Sequence, residues 1–323
     1  GGGGGGFFGG WRGGGAATPA AGAGGGSPTY RMTNRRVAVK CISKDRVEQM
    51  RRSKSGMNEN PLKEIAGMQY ITDRMAGLVA APNLRGDPSR VLPILECLED
   101  DNWIYTIMPC LEEEMFNEVE AHGRFSEFET FLYIEQILDG LEVLHSLGLA
   151  HHDMSLENLM LDAEGKCVII DLGMVVKVPL RANGLPIKIS ASRDWPGRCG
   201  KMLYLAPEIL NPQVSFDPLA LDMWAVGVMM FVLRTGVPPW DVETGPSPAD
   251  QRFALVQNGR LIDLLTAWNF TDISPPCVDL MQSFLCANPD VRFTIAQARQ
   301  HPWYQAMNAQ RPVPTQAAAP GAM

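Results

Sequence analysis

The stretch "LAHHDMSLENLML" sets His151, His152, Asp153 and Asn158 between apolar residues. Two imidazoles beside a carboxylate could be a zinc site, a packed structural turn, or the catalytic loop of an enzyme. Adjacent histidines on a strand or loop point apart, which argues against a shared metal. Further along stand Asp171 in "VIIDLG", Glu208 in "YLAPEIL" and Asp222 in "LDMWAVGVMMF". Upstream, Lys40 in "VAVK" and Glu64 in "LKEIAGM" add a cation and a carboxylate. Each piece alone is weak, and Lys40 by itself reads as a solvated strand lysine.

The elements around these residues follow a simple order. "RRVAVKCIS" is β-branched and bounded by charge, which predicts a strand. "NPLKEIAGMQYITDRM" repeats apolar residues at 62, 65, 68 and 71 after a proline, which predicts a helix carrying Glu64. "RVLPILECLE" and "WIYTIMPCL" read as strands. "FSEFETFLYIEQILDGLEVLHSLG" has apolar residues at 128, 131, 132, 134, 137, 138, 141 and 144, a helical period. A small β-rich part therefore precedes a larger helical part.

The bulk numbers bound the function classes. A chain of 323 residues, 46% hydrophobic and 20% charged, can bury a large core. Its net charge of −8 argues against general affinity for nucleic acid or anionic membrane. The longest apolar run, Met223 to Leu233, is shorter than the ~20 residues of a membrane span. Cysteines at 41, 97, 110, 167, 199, 277 and 286 lack paired spacing, so reduced thiols in a cytosol or nucleus are expected. No signal peptide is visible, and a start at Gly1 rather than Met leaves the natural N-terminus open. Fifteen of the 32 glycines fall within residues 1 to 26. That segment is too poor in large apolar residues to offset its ordering entropy, so residues 1–29 are expected to be disordered, as is the Ala/Pro-biased tail 306–323.

Taken together, "VAVK", "HHDMSLEN", "VIIDLG", "APE", "DMWAVG" and "PDVRFT" resemble, in order and spacing, the eukaryotic protein kinases from about Val37 to Trp303. The resemblance implies an α+β, two-lobe protein-kinase fold over residues 30–305. A small antiparallel β-rich lobe with one helix would span about 30–108, a hinge 109–113, and a mainly helical lobe 114–305. ATP would lie between the lobes, with Met108 and Cys110 beside it and Gly22 and Gly24 in a glycine-rich cover. Lys40 would hold the α- and β-phosphates, oriented by Glu64. Asp153 would accept the proton of a substrate hydroxyl, and Asn158 and Asp171 would hold Mg2+ through oxygen, which suits that hard ion. His151 would pack, Asp222 would hold the catalytic loop, and Glu208 and Arg292 would form a buried ion pair.

Three departures qualify the resemblance. The glycines at 22, 24, 25 and 26 do not form the family's Gly-x-Gly-x-x-Gly pattern at the usual distance before Lys40. His152 stands where many kinases have the arginine that clamps a phosphorylated activation loop, and an imidazole is a weak, pH-dependent phosphate partner. Activity without activation-loop phosphorylation is therefore expected. Ser155 replaces the lysine that serine/threonine kinases place two residues after the aspartate, while Lys201 in "CGKMLYLAPE" replaces the threonine that meets that lysine. Ser155 and Lys201 thus look like a pair with its partners exchanged, the ammonium entering the same space from the other side.

The resemblance implies an intracellular, ATP- and Mg2+-dependent serine/threonine kinase acting on protein substrates. Glu114 and Glu157 match acidic positions used to select basic residues near the phosphoacceptor, although a charge run such as 112–114 is usually only solvated. The rival is a pseudokinase, a scaffold or allosteric partner of the same fold without phosphotransfer. A small-molecule phosphotransferase is disfavoured by "APE" and "DMWAVG".

Overall fold

The computed structural model describes residues 36–52, 61–79, 86–179, 181, 186–190, 200–210 and 215–312. Gly22, Gly24, the rest of residues 1–35, Ser192, Cys199 and the tail from 313 lie outside the described residues.

The small lobe is built on β1 (Val37–Ser43), β2 (Glu96–Glu99) and β3 (Trp103–Pro109), an antiparallel sheet in the order β1-β3-β2. Lys40 pairs with Thr106 and Ala38 with Met108, so these four side chains share one face of the pleat. The run from Arg90 makes a strand only in its last part. Pro93, which has no N–H to give a ladder, separates β2 from Val91, and Val91 bridges instead to Ile169 in the other lobe.

Two helices serve this lobe, one more than the sequence implies. α2 (Pro61–Val79) is the expected one; α1 (Lys44–Arg52) follows β1 directly. The segment "KDRVEQMRR" buries Val47 and otherwise offers charge, so it shows no apolar stripe to read. Asp45 in its first turn and the Glu48–Arg52 ion pair at 3.3 Å support it locally.

The large lobe begins with β4 (Glu113–Glu114), α3 (Met115–His122) and α4 (Glu127–Ser146). α4 is started by Ser126, which caps Glu129 N at 3.2 Å while Glu129 Oε2 accepts from Ser126 N at 2.8 Å. On its apolar face Phe131, Ile134, Leu138 and Leu141 are fully buried. Next come β5 (Leu149–Ala150), β6 (Leu159–Leu161), β7 (Cys167–Ile169) and β8 (Val176–Lys177), pairing as β4-β6-β7 and β5-β8. β9 (Ile189–Ser190) pairs with β10 (Ser215–Phe216).

α5 (Pro218–Thr235) is the axis of this lobe: every residue in it except Leu219 is buried. By length and composition it is apolar enough to cross a membrane, longer than the uninterrupted run in the sequence, because apolar residues continue before Asp222 and Arg234 comes only near its end. Protein already surrounds it, with 94% of the window buried. Trp224 stacks on Trp240 at 5.9 Å, and the Phe253 ring meets both edge-on. α6 (Gln251–Gln257), α7 (Leu261–Ala267), α8 (Pro275–Phe284), α9 (Ile295–Gln300) and α10 (Pro302–Asn308) complete the lobe. The six described cysteines are free thiols.

Candidate active site

Asp222, on the axial helix α5, organises the loop after β5. Its Oδ2 accepts from His151 N at 2.9 Å and its Oδ1 from His152 N at 2.8 Å. His145, near the end of α4, brings Nε2 to Asp222 Oδ2 at 2.9 Å. Burial drives the Asp222 carboxyl up, but the His145 hydrogen bond and charge, with the His151 charge and the His152 N–H, outweigh it and hold the group below the ordinary range. Nothing in the sequence singles out His145. It sits in an amphipathic helix where one polar residue reads as surface.

The two histidines diverge. His151 is fully buried, with Nε2 at 3.0 Å from Ile170 O and Nδ1 accepting from Asp153 N at 3.3 Å, so both ring nitrogens have protein partners. His152 takes the left-handed backbone, φ 72°, and is also buried. Burial, opposed by Asp222 and reinforced by Lys63 and His151, lowers its pKa to about 3. The ring is therefore neutral across the physiological range, and less of a phosphate partner than its type implies. Below pH ~6.5 the unfolded chain gains a proton there that the folded chain refuses, so stability present above that pH is lost as the pH falls toward 3. His152→Asn, which tolerates positive φ, is expected to lose about 1–2 kcal/mol less stability than the parent between pH 7 and 4.5, read from urea midpoints.

Asn158 and Asp171 flank one hairpin, and the Asn158 side chain ties it to Asp153. Asn158 precedes β6 and Asp171 closely follows β7, and the register Leu159 to Ile169 sets them side by side. Ile170 N donates to Asn158 O at 3.0 Å. Asn158 Nδ2 donates to Asp153 O at 2.7 Å and Asp153 Oδ2 at 2.9 Å, which leaves the amide oxygen turned the other way. Asp171 adopts φ 57°, ψ 79°, and its Oδ1 accepts from Gly173 N at 3.1 Å. Leu172 is buried against α2, which comes close at Gly67: a Cβ there would stand 3.8 Å from the leucine side chain. Among the described residues, no three His, Cys, Asp or Glu side chains form a metal-holding cluster; Asn158 Oδ1 and the Asp171 carboxylate are the oxygen donors that the resemblance assigns to a cation.

Lys201 completes the site from the far side. Its Nζ donates to Ser155 Oγ at 2.8 Å and to Asn158 Oδ1 at 3.3 Å, and lies 3.8 Å from Asp153 Oδ2. Its backbone N donates to Asp153 Oδ1 at 3.2 Å. Gly200, at φ 90°, lets the chain pass this close: a Cβ there would stand 3.2 Å from both Asp153 Oδ1 and His152 O. Ser155 is completely buried, whereas the Lys201 side chain is 38% exposed.

In the small lobe, Lys40 Nζ lies 2.7 Å from both Glu64 oxygens. With Lys40 nearly half exposed, this pair orients the ammonium more than it stabilises the fold. The strand register adds Thr106, across from Lys40, with its hydroxyl buried and unbonded among the described residues. Only the pairing, not the strand's own composition, puts Thr106 there. Met108 and Cys110 flank Pro109 at the end of β3, both half-buried.

Glu114 and Glu157 come to the same edge, since β4 pairs with β6 and α3 packs on the turn Leu156–Asn158. Glu114 is exposed, while Glu157 Oε2 is buried without a hydrogen bond among the described residues. Burial first, then the Glu157 charge, pushes the Tyr204 phenol up. Further below, Arg292 Nη1 and Nη2 grip Glu208 at 2.7 and 2.9 Å, both side chains buried.

This arrangement has relatives of known kind. The serine/threonine-protein kinase CHK1 of Mycosarcoma maydis is 28% identical over 213 residues, 65% of this chain and 30% of that protein. CBL-interacting protein kinase 24 of Oryza sativa subsp. japonica is 29% identical over 219 residues, covering 67% and 43%. The probable serine/threonine-protein kinase KCC4 of Saccharomyces cerevisiae is 31% identical over 274 residues, covering 84% and 23%. The chain thus spans less than half the length of each. Residues 20–304 match the model of the protein kinase domain, and with the two-lobe fold around Lys40, Asp153 and Asp171, the chain belongs to the protein kinase family.

Proposed function

We propose that this domain is an active serine/threonine kinase, transferring the γ-phosphate of ATP to protein hydroxyls with Mg2+ as cofactor. The observation that carries the reading is the ammonium of Lys201 at 2.8 Å from Ser155 Oγ, beside Asp153. Its charge stands where a transferring phosphoryl group would need one, although the usual lysine is missing.

The oxygens of Asn158 and Asp171 fit Mg2+, which prefers hard oxygen ligands. When bound, that ion offsets phosphate charge and orients the triphosphate. Lys40, aimed by Glu64, contacts the α- and β-phosphates. Lys201 faces the γ-phosphate. Asp153, steadied by Asn158 Nδ2 and Lys201 N, orients the substrate hydroxyl and receives its proton as the oxygen attacks phosphorus and ADP leaves. Met108 and Cys110 border the base. Glu114 and Glu157, on one edge, favour a substrate with basic residues near its serine or threonine.

The test is transfer from γ-labelled ATP to serine- and tyrosine-containing peptides with and without neighbouring arginines, with the Asp153→Asn protein as the blank. Label on the arginine-flanked serine peptide is expected. Nucleotide-dependent thermal stabilisation with no label on any peptide, and no difference from the blank, would instead identify a pseudokinase.

A further inference from the structure

Lys201 does more at this site than replace a missing charge. The amide of Asn158 is oriented by its own Nδ2, which is spent on Asp153, so Oδ1 is the one side-chain acceptor Asn158 has left. Lys201 Nζ donates to that same oxygen at 3.3 Å. Under the proposed function, Asn158 Oδ1 is also a ligand of the divalent cation. One oxygen is therefore addressed by two cations, one of them covalently part of the chain.

We propose that Lys201 is a built-in antagonist of the divalent cation at Asn158, relieved by the nucleotide's phosphates. This rests on the assignment of Asn158 and Asp171 to the cation. The physical reason is charge. Two positive groups around one amide oxygen repel each other, and each draws on the same acceptor. The ammonium keeps its place through Ser155 Oγ, and through Asp153 Oδ2 nearby, contacts that do not depend on the cation. A triphosphate supplies negative charge to both and removes the conflict. The coupling lives in Lys201 because its charge comes from residues 200–210, across the site from the loop that supplies Asn158. With the ammonium that close to Asn158, cation affinity and catalytic charge cannot be tuned separately.

The test uses Mn2+ as a paramagnetic probe, titrated onto the full chain and followed by the signal of free Mn2+. Titrations are run with and without a non-hydrolysable ATP analogue. In the parent protein the analogue is expected to tighten Mn2+ binding strongly. Lys201→Met should raise nucleotide-free Mn2+ affinity about tenfold, an ordinary size for coupled sites, and shrink the effect of the analogue correspondingly. Lys201→Arg, which keeps the charge, should resemble the parent. Adding Asn158→Ala to the parent and to the Lys201→Met variant should erase the difference between them. Lys201→Thr replaces the Lys201→Met variant if circular dichroism shows that variant unfolded. Unchanged nucleotide-free affinity in the neutral variants, or no Mn2+ binding in any state, overturns the proposal. Phosphate transfer without any change in Mn2+ affinity would leave the kinase reading standing alone. Altered Mn2+ affinity without transfer would do the reverse.

Discussion

Lys201→Met is expected to lower kcat about 10²–10³-fold on a serine peptide, the usual cost of one preorganised electrostatic donor, with a smaller effect on KM. Lys201→Thr should lose as much. Ser155→Lys in the parent background should also lose activity, because a second ammonium would enter a buried site already holding one within 2.8 Å. The double variant Ser155→Lys/Lys201→Thr is expected to recover most of the loss, since the charge then arrives from the loop and the hydroxyl from the opposite segment. The signature is a large non-additivity in a double-mutant cycle of kcat. Losses that simply add would show that the two positions act independently and are not an exchanged pair.

Breaking the ion pair between Glu208 and Arg292 should give the largest loss of stability, about 3–5 kcal/mol for Glu208→Ala. Arg292 is fully enclosed and also donates to Ala220 O at 2.7 Å and Cys286 O at 3.0 Å, with its guanidinium 5.1 Å from the Trp224 ring. Without Glu208 its charge has no carboxylate to neutralise it and no water to reach it. Against a typical total of about 5–15 kcal/mol, such a loss leaves part of the population unfolded at body temperature. Arg292→Met removes the guanidinium but strands the buried Glu208 carboxylate and two carbonyls, so it should cost a similar amount. The pair Glu208→Leu/Arg292→Met should be less damaging than the sum of the two single changes. Urea denaturation followed by tryptophan fluorescence reads all three, and a loss below about 1 kcal/mol in Glu208→Ala would mean that the guanidinium finds another partner.

Much of the frame is legible in the chain. The periodicity of residues 128–144 announces α4 because that signal is local. The segment 44–52 is not legible, since a polar helix held mainly by charge and one buried valine has no stripe to see. Pro93 explains why half of an expected strand becomes a bridge to Ile169. His145 escapes a reading of the sequence because a histidine on a helix gains its meaning only from Asp222, a residue far along the chain.

The site divides in the same way. The sequence alone determined which chemical groups are present and their order: Lys40, Glu64, Asp153, Asn158 and Asp171, with a serine and a lysine exchanged against the family's pattern. Resemblance suggested that Ser155 and Lys201 meet. Only the tertiary structure decided how, because a lysine side chain can swing through a wide arc and its acceptors depend on where the surrounding backbone puts them. Here Gly200 permits a close approach to Asp153, Asn158 turns its amide nitrogen inward, and the one amide oxygen left over faces the ammonium. Contacts of that kind are made or lost by shifts of a fraction of an ångström between segments remote in sequence, and local propensity carries no record of them.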